Sequence, residues 1–158
     1  MRPRRPSAPW LAGLAFAVLA MLLPAACAAT EPETEGTNRV LALDICANLT
    51  EGRCQDSAKE MPADTGVLYA TATVERAVEG TEALATLTRI EDSRRQKVLS
   101  YSLGIEPDEE TGEALLVFFF DSSADQENGG RWQPGEYEVE VEVHAAGAEP
   151  ARAAFRLS

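Results

Sequence analysis

The chain has 158 residues, with 14 Lys+Arg against 26 Asp+Glu, a single His and a formal net charge of -12. That length fits one domain, or one domain plus a tail. The acidic balance excludes a nucleic-acid binder, which needs clustered positive charge. The 45% hydrophobic fraction excludes a disordered chain.

The first segment differs from the rest. Arg2, Arg4 and Arg5 precede an uncharged apolar run from Trp10 to Ala26, followed by Cys27-Ala28-Ala29. A positive start, an apolar core and a small-residue cleavage zone form a secretory signal pattern. Ala25-Ala26-Cys27 resembles the end of a bacterial lipobox, which implies a lipidated Cys27 at the mature N-terminus. Pro24 stands where that pattern usually has Leu. Two other outcomes stay open: ordinary secretion with a cut at Ala26-Cys27-Ala28, and an uncleaved anchor, since Trp10–Ala29 is 20 residues without a charge. The lipoprotein reading is preferred. It gives a signal peptide over 1–26, a flexible acidic tether over 27–38 and a folded domain over 39–158. Its address is the exported side of a membrane, facing the periplasm or the cell exterior.

Cysteine parity supports that division. Three Cys leave one unpaired in an oxidising compartment. With Cys27 lipidated, Cys46 and Cys54 remain; they are expected to pair and close a loop of nine residues, the alternative being two free buried thiols. The closure is worth about 2.5 kcal/mol on the chain-entropy model. Cleavage also removes three Arg, leaving 11 basic residues against 26 acidic ones, near -15 over 132 residues.

From Val40 the sequence reads as short strands. Val40–Ile45 is the first. Residues 47–65 form a loop, with a short helical turn expected near Ser57–Met61. Gly66–Val74 is rich in β-branched and aromatic residues and forms the second. Ala83–Ile90 and Lys97–Ile105 flank the charged turn Glu91–Arg95, and Pro107–Gly112 is a turn by composition. Ala114–Phe120 (ALLVFFF) is expected as a central strand buried on both faces. Neighbours in Phe118-Phe119-Phe120 point opposite ways, so an uncovered second face makes this run a sticky surface. Tyr137, Val139, Val141 and Val143 alternate with Glu136, Glu138, Glu140 and Glu142, which means one face in the core and one in water. Ala151–Leu157 closes the series. The fold class is all-β, an antiparallel β-sandwich of about seven strands.

Trp132-Gln133-Pro134-Gly135-Glu136-Tyr137, the alternating strand and the final Ala151–Leu157 strand resemble the last hairpin of immunoglobulin-like and fibronectin-type-III-like domains of bacterial surface proteins. The likeness is close over 131–158 and extends to 39–130 only as a count of strands. It implies an immunoglobulin-like sandwich. Tyr137 is then a tyrosine corner whose hydroxyl binds upstream backbone, Trp132 caps one end of the core, and Pro134-Gly135 forms the entry turn. Cys46 and Cys54 are too close in sequence to form an antibody-type inter-sheet bridge.

No catalytic constellation emerges. His144 is the sole His and reads as an exposed strand end. G-x-S-x-G, P-loop and G-x-G-x-x-G motifs are absent, so no catalytic residue and no cofactor is expected. Glu106, Asp108, Glu109 and Glu110 crowd one loop, and Asp121, Asp125, Glu127 and Asn128 another. Convergence of these loops at one end of the sandwich would suit calcium, but no spacing singles out a metal site, and solvated loops are the simpler reading. The Glu row reads as a wet sheet face, or else as an acidic patch for a basic partner. The expected function is a non-enzymatic binding or structural module for another envelope protein or a cationic ligand. The alternative is an acidic inhibitor or modulator of a basic secreted enzyme.

Overall fold

In the computed structural model, residues 38–124, 129–145 and 147–158 are described, all within the unit Thr34–Ser158. The expected signal peptide, the expected lipid site Cys27, the expected tether up to residue 37, and Asp125, Glu127 and Asn128 lie outside them.

Period-2 burial makes the strands, and two sheets bury their inner rows against each other. The strands are β1 (Arg39–Cys46), β2 (Glu60–Met61), β3 (Val67–Glu75), β4 (Glu82–Glu91), β5 (Arg94–Gly104), β6 (Ala114–Asp121), β7 (Gly135–Val143) and β8 (Ala151–Leu157), with a 3-10 turn at Ser122–Ala124. One sheet has the order β1-β3-β6 and the other β2-β8-β7-β4-β5. The result is an all-β sandwich of eight strands. The expected seven appear, and the eighth, β2, replaces the expected helical turn near Ser57–Met61. Met61 is buried in the core. Backbone bonds from Arg156 N to Lys59 O and from Ser158 N to Met61 O hold the segment extended, in the parallel pair β2–β8.

The core alternates small and large residues. Ala70, Ala72, Ala83 and Ala85 are fully buried. In register, Ala70 faces Phe118 and Ala85 faces Tyr101. Pairing small with bulky residues lets the two layers interdigitate at native density. β7 follows its alternation: Tyr137, Val139, Val141 and Val143 are buried while Glu136 and Glu142 are exposed. Asn38 is buried and starts the body, with its Oδ1 accepting from Val78 N at 2.9 Å. Asp92 and Ser93, with φ of 46° and 67°, form the two-residue turn of the β4–β5 hairpin, whose left-handed pair matches strand twist.

β6 departs from expectation. It is an edge strand of the three-stranded sheet, not a central strand. Ala114, Leu116, Phe118 and Phe120 are buried, whereas Leu115 and Phe119 are exposed. A continuous apolar run cannot distinguish burial on two faces from burial on one, and among the described residues no third layer covers the outer row.

The Trp132–Tyr137 segment closes one end. Trp132 and Tyr137 are buried, and Tyr137 Oη donates to Gln133 O at 2.8 Å. Gly135 has φ +152°, and a Cβ there would meet Arg89 Nε at 3.4 Å. Arg89 in turn donates to the Gln133 side chain and to Pro134 O, and lies 3.7 Å from Glu91. The positive φ at 135 favours glycine, a Cβ there meeting Arg89 only at ordinary contact distance, and Arg89 ties this turn to β4. Tyr137→Phe is expected to lower stability by about 1 kcal/mol, read as a shift of the urea midpoint at unchanged slope. An unmoved midpoint would deny the hydroxyl this role.

Candidate binding surface

The outer face of the three-stranded sheet is built by alternate residues of its strands. On β3 these include Tyr69, Thr71 and Thr73, which stand opposite Phe119, Val117 and Leu115 of β6. Part of this face is covered by the loop after β1. Cys46 and Cys54 form a disulfide with Cα atoms 5.6 Å apart, within the usual range. It folds the loop back so that Cys54 N donates to Thr71 Oγ1 at 3.4 Å and Cys54 Sγ lies 3.9 Å from Tyr69 O. Cys54 and Thr71 are buried as a result.

The cover stops short of β6. Phe119 keeps 57% of its surface exposed and Leu115 37%, and Val117 between them is half-buried. Phe119 stacks on Tyr101 of β5 with ring centroids 5.8 Å apart, and Tyr101 also lies 5.8 Å from Phe120. Tyr101 therefore bridges the seam between the sheets and holds Phe119 at the rim. The row Leu115-Val117-Phe119 is the uncovered second face that the Phe run makes possible. It runs along a strand whose other side has no partner among the described residues.

The charged features fall elsewhere. The Glu row of β7 lies on the outer face of the five-stranded sheet and is largely compensated there. Arg156 pairs with Glu136 at 2.8 Å, Arg95 with Glu138, and Arg152 with Glu140. Exposed pairs of this kind contribute little stability each, but they cancel much of the negative field of the row. The Arg partners come from β5 and β8, so their positions depend on strand pairing that periodicity alone does not reveal.

Of the second acidic cluster only Asp121 is described, and eight extended residues of β6 set it roughly 24 Å from the loop before the strand. The described carboxylates Asp108 and Asp121 serve their own turns. Asp108 Oδ1 accepts from Glu110 N, Thr111 N and Thr111 Oγ1 at 2.9 to 3.1 Å. The Thr111 amide, then its hydroxyl, then the Glu110 amide hold the Asp108 carboxyl below its ordinary range. Asp121 is lowered by the Ser123 side chain and amide. Among the described residues no group of three or more His, Cys, Asp or Glu is placed to hold a metal ion, and no helix is long and apolar enough to cross a membrane. His144 is exposed just past β7, its amide bonded to Glu82 O at 2.8 Å.

No family model matches the chain, and no curated protein matches it. Among solved structures it is similar to the Pseudomonas fluorescens alkylpurine DNA glycosylase AlkC bound to DNA containing an abasic site analog. That match has 14% identity and a TM-score of 0.42, and covers 77% of this chain and 30% of that one. It is also similar to the β-glucosidase EmGH1 of Erythrobacter marinus, with 14% identity, a TM-score of 0.39 and coverage of 74% and 15%. A third likeness is to the Kluyveromyces marxianus β-glucosidase in complex with glucose, with 10% identity, a TM-score of 0.39 and coverage of 77% and 14%. The chain thus spans less than a third of each of these proteins, and likeness at this level carries no inference to activity, substrate or partner.

Two measurements check the local chemistry. Free-thiol labelling of the unreduced, denatured protein should find neither Cys46 nor Cys54 reactive, and reduction should lower stability by about 2.5 kcal/mol. The Asp108 carboxyl should titrate below its ordinary 3.8. Its depressed value means that the stability it contributes is present above 3.8 and is lost as pH falls through the folded-state value. Thr111→Ala should move the midpoint, followed by NMR, back up; an unmoved midpoint would deny Thr111 that part.

Proposed function

We propose that the chain is an exported lipoprotein, held to a membrane through a lipid on Cys27. Its immunoglobulin-like domain acts as a binding or structural module for another envelope protein or a cationic ligand, rather than as an enzyme. The observation that carries the binding role is the exposed row Leu115-Val117-Phe119 on β6. Soluble domains seldom leave a contiguous apolar row uncovered unless something docks on it.

Further features support the rest of this reading. Taken in chain order, β1, β3 and β6 correspond to strands A, B and E of an immunoglobulin-type sandwich. The run β8-β7-β4-β5 corresponds to G, F, C and C′. The bond from Tyr137 Oη to Gln133 O, four residues upstream, has the form of a tyrosine corner. The Cys46–Cys54 disulfide suits an oxidising compartment and leaves Cys27 as the odd cysteine, in the Ala-Ala-Cys context of a lipidation site.

Fractionation tests the anchor: Cys27→Ser is expected to move the protein from membrane to soluble fraction, and unchanged fractionation refutes it. Pull-down from detergent-solubilised envelope tests the module. A stable stoichiometric partner supports it. Co-purification of a basic enzyme that loses its activity would replace it with an inhibitory role, and turnover of peptide, ester or glycan substrates would overturn both.

A further inference from the structure

The four strands at sheet edges are β1, β6, β2 and β5, and they are not treated alike. β1 carries a register shift between Val40 and Ala42. β2 is two residues long. β5 opens with Arg94, Arg95 and Lys97 and has a shift opposite Leu87 and Thr88. Bulges, shortness and charge are the devices that keep exposed edges from pairing with other chains. β6 has no bulge and no charge before its last residue Asp121, and Tyr101 of β5 packs only beside its end, at Phe119 and Phe120. It pairs with β3 without a shift from Val67↔Asp121 to Val74↔Ala114, and Ala114–Phe120 contains no charge, Pro or Gly.

We propose that β6 is a docking edge for an extended segment of another protein that alternates apolar and basic residues and adds to the β1-β3-β6 sheet as a fourth strand. Main-chain bonds along the free edge give such a strand its affinity, and alternate side chains give it specificity. Leu115, Val117 and Phe119 receive the apolar ones. This rests on the binding-module reading and names the partner's chemistry.

Charge selects the occupant. Asp108, Glu109, Glu110 and Glu113 precede the strand and Asp121 ends it, while Arg53 shares the pocket at its start with Asp108 and Glu113. A second copy brings a mature charge near -15 of its own. Two-fold pairing of β6 centred on Val117 would also set Glu113 against Asp121 of the copy, a destabilising like-charge pair. The chain's own segment 28–38 carries Glu31, Glu33 and Glu35 with no basic residue, so it meets the same repulsion. A basic strand is instead drawn in by the field.

The test uses detergent-purified full chain and a capped peptide of alternating Lys and Val about as long as β6. Binding is read by fluorescence anisotropy and by hydrogen exchange of the β6 amides. Expected are saturable binding that weakens with salt, slowed exchange along β6, and on the order of tenfold weaker binding for Leu115→Lys and Phe119→Lys. Leu41→Lys, at the far edge of the same sheet, should bind as wild type. Thermal melts confirm that the variants fold, with Leu115→Lys sparing the Tyr101 stack. No binding, binding without β6 protection, or equal binding of an alternating Glu and Val peptide would overturn the proposal. So would self-association in sedimentation that Phe119→Lys abolishes, because the occupant would then be a second copy. An envelope partner captured equally by wild type and Phe119→Lys would sink this edge while leaving the module reading intact. Peptide binding with no captured partner and with substrate turnover would do the reverse.

Discussion

A sandwich of two sheets can cover only one face of each strand. This constraint orders the rest of the molecule. β7 obeys it most plainly in composition, with valines facing in and glutamates facing out. β6 obeys it in geometry but not in composition. Its inner row supplies Phe118 and Phe120 to the core, among the largest fully buried side chains. Its outer row is equally apolar and has no layer above it among the described residues. The same seven-residue run therefore anchors the core and creates the exposed surface.

The disulfide loop shows how the same sheet treats the rest of its outer face. Thr71 lies at the centre of that face and is sealed by Cys54, whose amide it accepts. The covered part is polar and tied down by a covalent clasp, while the uncovered part is apolar and lies along an open edge. A fold that needed only to hide apolar surface would place the clasp over β6. Here the clasp lies over β3, and Tyr101 instead braces Phe119 at the rim. An aromatic ring held by another ring has fewer rotamers to lose when something packs on it.

Much of this was legible in the sequence. Strict alternation located β7 and its buried face. The Pro134-Gly135 turn and Tyr137 located the closing hairpin, and cysteine parity located the disulfide. Three things were not legible, each because it depends on partners distant in the chain. β6 was expected in the centre of a sheet, since an uninterrupted apolar run reports hydrophobicity but not the number of neighbours. β2 was expected as a helical turn, since two residues carry no period, and its extended form comes from hydrogen bonds to β8 nearly a hundred residues away. The Glu row was read as a wet sheet face without its Arg partners, since Arg95, Arg152 and Arg156 reach it only through the pairing of β5 with β4, β4 with β7 and β7 with β8.

That last point changes what the acidity of the chain means. Counted along the sequence, the four glutamates of β7 are its most regular acidic feature and the natural place to look for an acidic docking patch. In the fold most of them are matched on their own face, so the unbalanced charge shifts to the loops. The loop from Glu106 to Glu113 carries five carboxylates and no basic residue, and Asp121 stands at the other end of the strand between them. The negative field and the open apolar edge thus coincide at β6, although neither the net charge nor the Phe run points there alone. The Debye length at physiological salt is about 8 Å, so each acidic end of this strand acts on its own end of the proposed docking segment, with negative charge on either side of the apolar row. In the proposed docking, acidity steers the partner, and apolar side chains and backbone hydrogen bonds supply the contact energy.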